Sequence, residues 1–320
     1  MSKVAVVQKA PVVLNRGASV ARAIELLEQA ASRGAEMIVF TEAFIPGYPA
    51  WIWRLRPGSD WGTNEALHKR LLEHAVDLES DQLAPLHQAA RKHQMTVVCG
   101  MHERDHRCSR ATLYNTVVVV GPDGALLNRH RKLMPTNPER MVWGAGDASG
   151  LRVINTPVGR IGCLICWENY MPLSRYALYA QGIDIYIALT YDSGDDWLCS
   201  MQHIAREAGC WVINSGNLLH ATDIPDDLQE RATLYPDADE WVNSGDSAII
   251  APGGQLVVGP LHNEEGILYA EIDIERAAMA RRTLDVVGHY SRPDIFTLQV
   301  NTNAYVPVSF SVHPKSSDFF

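Results

Sequence analysis

Short apolar runs alternate with amphipathic stretches along most of this 320-residue chain, and that alternation limits the fold more than any other feature. Strands repeat their apolar residues every second position and helices every third or fourth, so the period types each segment. Residues 3–8, 36–40, 96–100, 112–120, 125–131, 151–156, 160–165, 185–189, 211–215, 247–251, 255–258 and 266–272 read as strands. Residues 19–33, 67–75, 82–93, 173–181 and 197–208 read as helices. The first helix carries Val20, Ile24, Leu27 and Ala31 on one face, and Gly34 stops it. Gly121-Pro122-Asp123-Gly124 joins two strands as a hairpin turn. Residues 218–246 are polar and carry Pro and Asp, which reads as a long loop. Residues 285–320 are weakly patterned and read as a tail. No repeat, low-complexity segment or linker divides the chain. The expectation is one αβ domain with a C-terminal extension.

Composition removes several classes of function. Apolar residues make up 47% and charged residues 20%, which suits a globular chain and not a disordered or fibrous one. The net charge is −9, and no run of Lys and Arg could track a phosphate backbone, so no nucleic acid is expected as partner. The longest apolar runs fall far short of the ~20 residues that span a bilayer, so no membrane is expected either. The N-terminus lacks the apolar core and small-residue cleavage site of a signal peptide. A cytoplasmic location follows as an expectation, with six cysteines kept as free thiols.

Some motifs match chemistry in letters but not in context. His102-Glu103-Arg104-Asp105-His106 has the zinc spacing H-E-x-x-H, which works only where a helix stacks both histidines on one face. Here it follows a strand, so a solvated loop is expected and no metal. Cys163 and Cys166 form a C-x-x-C pair with no second pair to complete a metal site, and Cys163 sits mid-strand as a packing residue. The glycine-rich stretch 144–150 precedes a strand, the reverse of a dinucleotide loop. Neither G-x-S-x-G nor G-K-S/T occurs.

Three polar residues stand where strands end: Glu42 after residues 36–40, Lys132 after 125–131 and Cys166 after 160–165. Sites in αβ sheets collect where strands give way to loops. A thiol at a strand-to-helix turn gains from free N–H groups, a nearby lysine strengthens that effect, and a carboxylate can take the thiol proton and later activate water. The chain has six Lys against 22 Arg, so a Lys beside Arg131 stands out as a choice of amine over guanidinium. Taken one by one, each residue also has an ordinary reading: a packed Cys, a solvated Lys, a turn Glu.

The words around these residues are more specific. Phe40-Thr41-Glu42-Ala43-Phe44-Ile45-Pro46-Gly47-Tyr48-Pro49, Arg131-Lys132-Leu133-Met134-Pro135-Thr136 and Gly162-Cys163-Leu164-Ile165-Cys166-Trp167-Glu168-Asn169 resemble, in order, the three catalytic words of the nitrilase superfamily. Gly288-His289-Tyr290-Ser291-Arg292-Pro293-Asp294 resembles its C-terminal word. Cys166-Trp167-Glu168, Pro135-Thr136-Asn137-Pro138-Glu139-Arg140, Trp143-Gly144-Ala145-Gly146-Asp147 and residues 191–197 side with the nitrilase branch. Cys163 departs from the alanine more usual there.

The resemblance implies a four-layer αββα sandwich, a hydrolase domain over residues 1–280 and an extension over 281–320. It implies no cofactor and no metal. The substrates would be a small-molecule nitrile and water, and the assembly a homo-oligomer built from dimers, in some members extended into spirals. Cys166 would be the nucleophile, Glu42 the general base, Lys132 the ammonium that stabilises developing charge, and Glu139 a second carboxylate orienting lysine or water. Tyr48, Trp51, Trp167, Thr190 and Trp197 are candidate pocket walls. The competing readings are an amidase or carbamoylase of the same superfamily, a catalytically silent assembly protein on this fold, and a zinc hydrolase through His102 and His106.

Overall fold

The computed structural model describes residues 1–56, 58–105 and 109–308. His106, Cys108 and the end of the tail from Pro314 to Asp318 lie outside the described residues. In chain order the strands are β1 (Ser2–Gln8), β2 (Met37–Val39), β3 (Thr96–Arg104), β4 (Leu113–Val120), β5 (Leu126–Arg131), β6 (Ile154–Thr156), β7 (Gly159–Ile165), β8 (Ile185–Thr190), β9 (Trp211–Gly216), β10 (Leu218–His220), β11 (Trp241–Ile250), β12 (Leu256–His262) and β13 (Gly266–Ile272). The α-helices are α1 (Arg16–Ser32), α2 (Trp61–His74), α3 (Ala84–His93), α4 (Pro172–Tyr179), α5 (Asp195–Ala208), α6 (Arg231–Leu234) and α7 (Glu275–Arg281). One sheet runs β13-β1-β2-β3-β4-β5, and the other β10-β11-β9-β8-β7-β6 with β12 beside β11.

Alternation along each strand turns two sheets into four layers. In β1, Ala5 and Val7 face Val20, Leu27 and Ala30 of α1, while Val4 and Val6 face the opposite way. There they meet Ile161, Cys163, Ile165, Ile185 and Ile187 of the second sheet in a core between the sheets. The far side of that sheet, through Leu164, Tyr186 and Ala188, packs on Leu178 of α4 and on Trp197, Met201 and Ile204 of α5. Each fully buried Val, Ile or Leu contributes about 1.5–3 kcal/mol against exposure. The central layer is therefore strong, but its apolar contacts carry no direction. Local signals agree with it: Asn15 caps α1 by accepting the Ala18 N–H at 3.0 Å, and the chain turns away at Gly34 with φ 78°.

Strand direction brings the three catalytic words to one side. β2 lies parallel to β3, and β4 reverses before β5 reverses again, so β2 and β5 end at the same edge of the first sheet. β7 and β8 are parallel in the second sheet. A buried cluster of Ala43, Tyr48, Trp51, Leu71, Trp143 and Tyr235 packs beside this edge. Gly100 of β3 lies against the turn that carries Glu42: a Cβ there would stand 2.4 Å from the Thr41 carbonyl oxygen and 2.6 Å from the Ala43 nitrogen. Only glycine allows that approach.

Several expectations are corrected. Residues 218–246 are not one long loop: they contain β10, α6 and the first half of β11. β10 has only three residues, and the start of β11 mixes exposed, half-buried and buried residues and shifts register against its neighbours, so the polar residues hide the strand period. β3 continues to Arg104, beyond residue 100, and carries His102 in its interior rather than in a solvated loop. His102 is fully buried, its Nε2 at 2.8 Å from the Gly47 carbonyl oxygen, with Trp143 Nε1 donating to its Nδ1 at 2.9 Å. Burial pushes this ring down to about 3, which holds it neutral. Among the described residues no helix is long and apolar enough to cross a membrane.

Candidate active site

Cys166 stands at the junction of β7 with a 3-10 helix, Cys166–Tyr170, and α4 follows from Pro172. Its φ is 53°, a left-handed conformation that costs a non-glycine residue about 1–3 kcal/mol unless its neighbours hold it. They do. The Asn169 amide donates to the Cys166 carbonyl at 2.6 Å, and Glu168 Oε2 accepts the Ile165 N–H at 2.7 Å. The first N–H groups of such a helix have no partner within it, and among the described residues no bond is recorded for the Trp167 N–H beside the thiol.

The polar residues from the two sheets converge on this thiol. Lys132 follows β5 directly and is buried, its Nζ donating to Glu139 Oε2 at 2.7 Å and to Glu42 Oε1 at 3.1 Å. Glu42 is fixed from three further directions: Asn115 Nδ2 donates to Oε1 at 2.6 Å, the Tyr191 N–H to Oε2 at 2.6 Å, and Asn217 Nδ2 to its main-chain carbonyl at 2.7 Å. Glu139 lies in the 3-10 turn Asn137–Met141 and also accepts the Thr136 N–H at 2.7 Å and the Tyr48 hydroxyl at 2.7 Å. One ligand-type atom from each of Glu42, Glu139 and Cys166 lies within 4.8 Å of the others. A cation placed among them would meet the ammonium that already bridges both carboxylates.

Burial sets the protonation states. It pushes Glu42 up to about 7, opposed by Lys132 and reinforced by Glu139. It pushes the Cys166 thiol up to about 12, with Glu42 and Glu139 adding to the shift and Lys132 and Thr190 opposing it. Burial alone would lower Lys132, but the facing carboxylates outweigh it and hold the amine above its ordinary range. Cys166 therefore rests as a thiol and Lys132 as an ammonium, while Glu42 takes up a proton near neutral pH. A free thiolate would add an uncompensated negative charge in low dielectric, whereas passing the proton to Glu42 leaves the net charge unchanged.

The thiol opens into a cavity of about 510 Å3 whose walls include Tyr48, Trp53, Trp167, Tyr191 and Trp241. Tyr48 stacks on Tyr191 with ring centroids 3.7 Å apart. Trp167 is half exposed, its Nε1 donating to Asp192 at 2.8 Å. The other candidate walls lie elsewhere. Thr190 is buried behind the thiol, its Oγ1 accepting the Asp192 N–H at 2.8 Å. Trp51 and Trp197 are buried in separate apolar clusters and do not line the cavity. Trp53, Tyr191 and Trp241 line it without having been singled out from sequence, because nothing in the local pattern separates a cavity-facing aromatic from a core one. Asn115 left a signal, a polar residue inside an apolar strand, and so did Glu168, a glutamate three positions after a strand end where helix-capping carboxylates belong.

The sequence profile of the carbon-nitrogen hydrolases matches residues 3–282. The chain belongs to the carbon-nitrogen hydrolase family. It is 39% identical over 316 residues to "Nitrilase 2" of Arabidopsis thaliana, covering 95% of this chain and 90% of that one. It is 40% identical over 311 residues to a "bifunctional nitrilase/nitrile hydratase" of Nicotiana tabacum, covering 96% and 88%. A crystal structure of a carbon-nitrogen hydrolase from Helicobacter pylori G27 superposes with a TM-score of 0.68 at 20% identity, covering 92% and 96%. As in that structure, the fold of this carbon-nitrogen hydrolase is a mixed αβ domain with two sheets between helices.

Proposed function

We propose that this chain hydrolyses an organic nitrile to the carboxylic acid and ammonia through a covalent intermediate on Cys166. The observation that carries the reading is the buried set of Glu42, Lys132 and Glu139 around a thiol at the floor of an aromatic cavity. Relatives named as nitrilases, about 40% identical over nearly the full chain, support the same reaction.

Each step uses a residue already in place. Glu42 accepts the thiol proton as sulfur attacks the nitrile carbon, and that proton passes to nitrogen, leaving a thioimidate. The Lys132 ammonium and the Trp167 N–H face the developing negative charge. Water, deprotonated by Glu42, adds to the thioimidate carbon. The tetrahedral species expels ammonia and leaves a thioester, which a second water cleaves to acid and free thiol. Two covalent steps replace one difficult addition. The cavity volume is that of a small-molecule pocket, and its indole and phenol walls suit an aromatic or bulky aliphatic nitrile. The exposed Leu173, Met171 and Tyr170 near α4 support a homo-oligomer built from dimers, and the free Cys99, Cys163, Cys199 and Cys210 support a cytoplasmic setting. The reading takes residues 1–280 as the hydrolase and 281–320 as a C-terminal extension that serves as an interface or a tail.

A panel of nitriles and their amides, assayed for ammonia with the products separated by chromatography, tests the reaction. Acid and ammonia from at least one nitrile are expected, faster than from its amide; turnover of amides alone would make the enzyme an amidase.

Glu139 bears on which product forms. The tetrahedral species expels ammonia only if its nitrogen is protonated, and carboxylates nearby favour that form. Glu139→Gln removes one of two such charges with little change in shape. Total turnover is expected to fall and the amide share to rise. A relative barrier change of 1.4 kcal/mol shifts the ratio about tenfold. An unchanged rate and unchanged acid-to-amide ratio would make Glu139 purely structural.

A further inference from the structure

Cys166 and Lys132 come from different sheets. Cys166 ends β7 of one and Lys132 follows β5 of the other, and between the sheets lies the apolar core. Such packing is non-directional and sets no hydrogen-bond geometry between the two sheet ends. A productive site needs its groups held within about 0.5 Å, and a 1 Å misplacement costs about 100-fold in rate. Something with direction must fix one sheet end against the other.

We infer that Glu168, oriented by His130, is the positioning residue that locks the nucleophile to the lysine. Its carboxylate is buried, and both oxygens are used across the gap. Oε2 accepts the N–H of Ile165, the residue before Cys166, at 2.7 Å. Oε1 accepts the N–H of Leu133, the residue after Lys132, at 2.5 Å. His130, on β5 two residues before Lys132, approaches both oxygens with Nε2 at 3.1 and 3.0 Å. Its Nδ1 is buried and meets no partner among the described residues, so the ring proton belongs on Nε2, pointed at the carboxylate. His130 is thus an orienting donor to the carboxylate. One carboxylate ties the backbone on either side of two reacting groups, and its bonds are charge-assisted and directional. Glu168 does not itself line the cavity, so it acts through the groups it places.

The inference rests on Cys166 and Lys132 having the roles proposed above. The experiment therefore includes a readout that needs no turnover: alkylation of Cys166 by iodoacetamide at fixed pH, followed on the Cys166 peptide by mass spectrometry. Glu168→Gln keeps the shape but turns an amide N–H2 toward one of the two backbone N–H groups, so one tie is lost. Its kcat is expected to fall about 100-fold, with KM within about threefold. Cys166 alkylation should slow, because a displaced Lys132 no longer favours the thiolate. The sign is decisive: if Glu168 acted only as a remote negative charge, removing it would speed alkylation. His130→Leu removes the orienting donor and should lower kcat, whereas His130→Gln, whose amide nitrogen reaches the Nε2 position, should restore most of it. This pair serves if Glu168→Gln does not fold. Alkylation unchanged or faster in folded Glu168→Gln, or equal kcat for His130→Leu and His130→Gln, would overturn the inference. If wild type turned over no nitrile while alkylation still slowed in Glu168→Gln, the proposed reaction would be wrong and the lock would stand.

Discussion

Cys166→Ala is expected to lower nitrile turnover by at least about 10,000-fold, because no other group near the cavity floor can form the covalent intermediate. The protein should stay folded. The thiol is buried, and among the described residues the one bond recorded through its sulfur is with Thr190, so alanine accepts the same space. The loss should fall on kcat, since the aromatic walls that hold substrate are untouched. Steady-state rates and the thermal midpoint, measured on one preparation, separate a chemical loss from unfolding. Activity within tenfold of wild type in a folded Cys166→Ala protein would remove the thiol from the mechanism and leave Glu42 acting on water directly.

Lys132→Arg should be nearly inactive although charge is conserved. The ammonium sits in a closed space, 2.7 Å from one carboxylate and 3.1 Å from the other, with no exposure of its side chain. A guanidinium is longer, planar and broader, and it would pair with Glu139 or Glu42 in a fork rather than bridge both with one atom. Its insertion would also overpack the site, at about 1–3 kcal/mol. The expected loss in kcat/KM is about 1,000-fold, in line with removing a preorganised electrostatic group. A folded, active Lys132→Arg enzyme would show that any positive charge suffices. The thermal midpoint again guards against misreading a folding defect.

The sequence reading drew attention to Glu42, Lys132 and Cys166 because each follows a strand, and it joined them with Glu139 only through the resemblance of the words around them. Strand ends are legible: Met37-Ile38-Val39 gives way to Glu42, and Gly162-Cys163-Leu164-Ile165 to Cys166, with a sharp change from apolar to polar. Which residues face a cavity was not legible. Trp51 and Trp53 are two positions apart and equally aromatic, yet one is buried in a core and the other lines the pocket. That difference comes from how the segment around the 3-10 turn Ala50–Trp53 packs, which no period reports. His102 failed for a related reason. A histidine and a glutamate at the end of β3 look solvated, but each finds a partner: His102 in Trp143 and Gly47, and Glu103 in Arg129, Arg131 and Thr116. Partners distant in sequence cannot be read from a window. The role of Glu168 was hidden in the same way, since its second tie reaches back 35 positions to Leu133.

The pairing of β1 with β13 has a consequence for the time course of folding. Ser2 aligns with Ile272 and Gln8 with Gly266, so the first strand meets its outer neighbour only after nearly the whole domain exists. At ribosomal speeds of about 5–20 residues per second, the two strands are separated by tens of seconds of synthesis. Throughout that interval β1 has β2 on one side and an open row of N–H and C=O groups on the other, on a strand whose Val4, Ala5, Val6 and Val7 are all buried once the fold closes. An unpaired apolar edge is a template for another chain, and such long-range closure is intrinsically slow. Nascent chains of this topology are therefore most exposed to misassembly late in translation, and slowing synthesis upstream of residue 266 would lengthen the dangerous stage rather than relieve it.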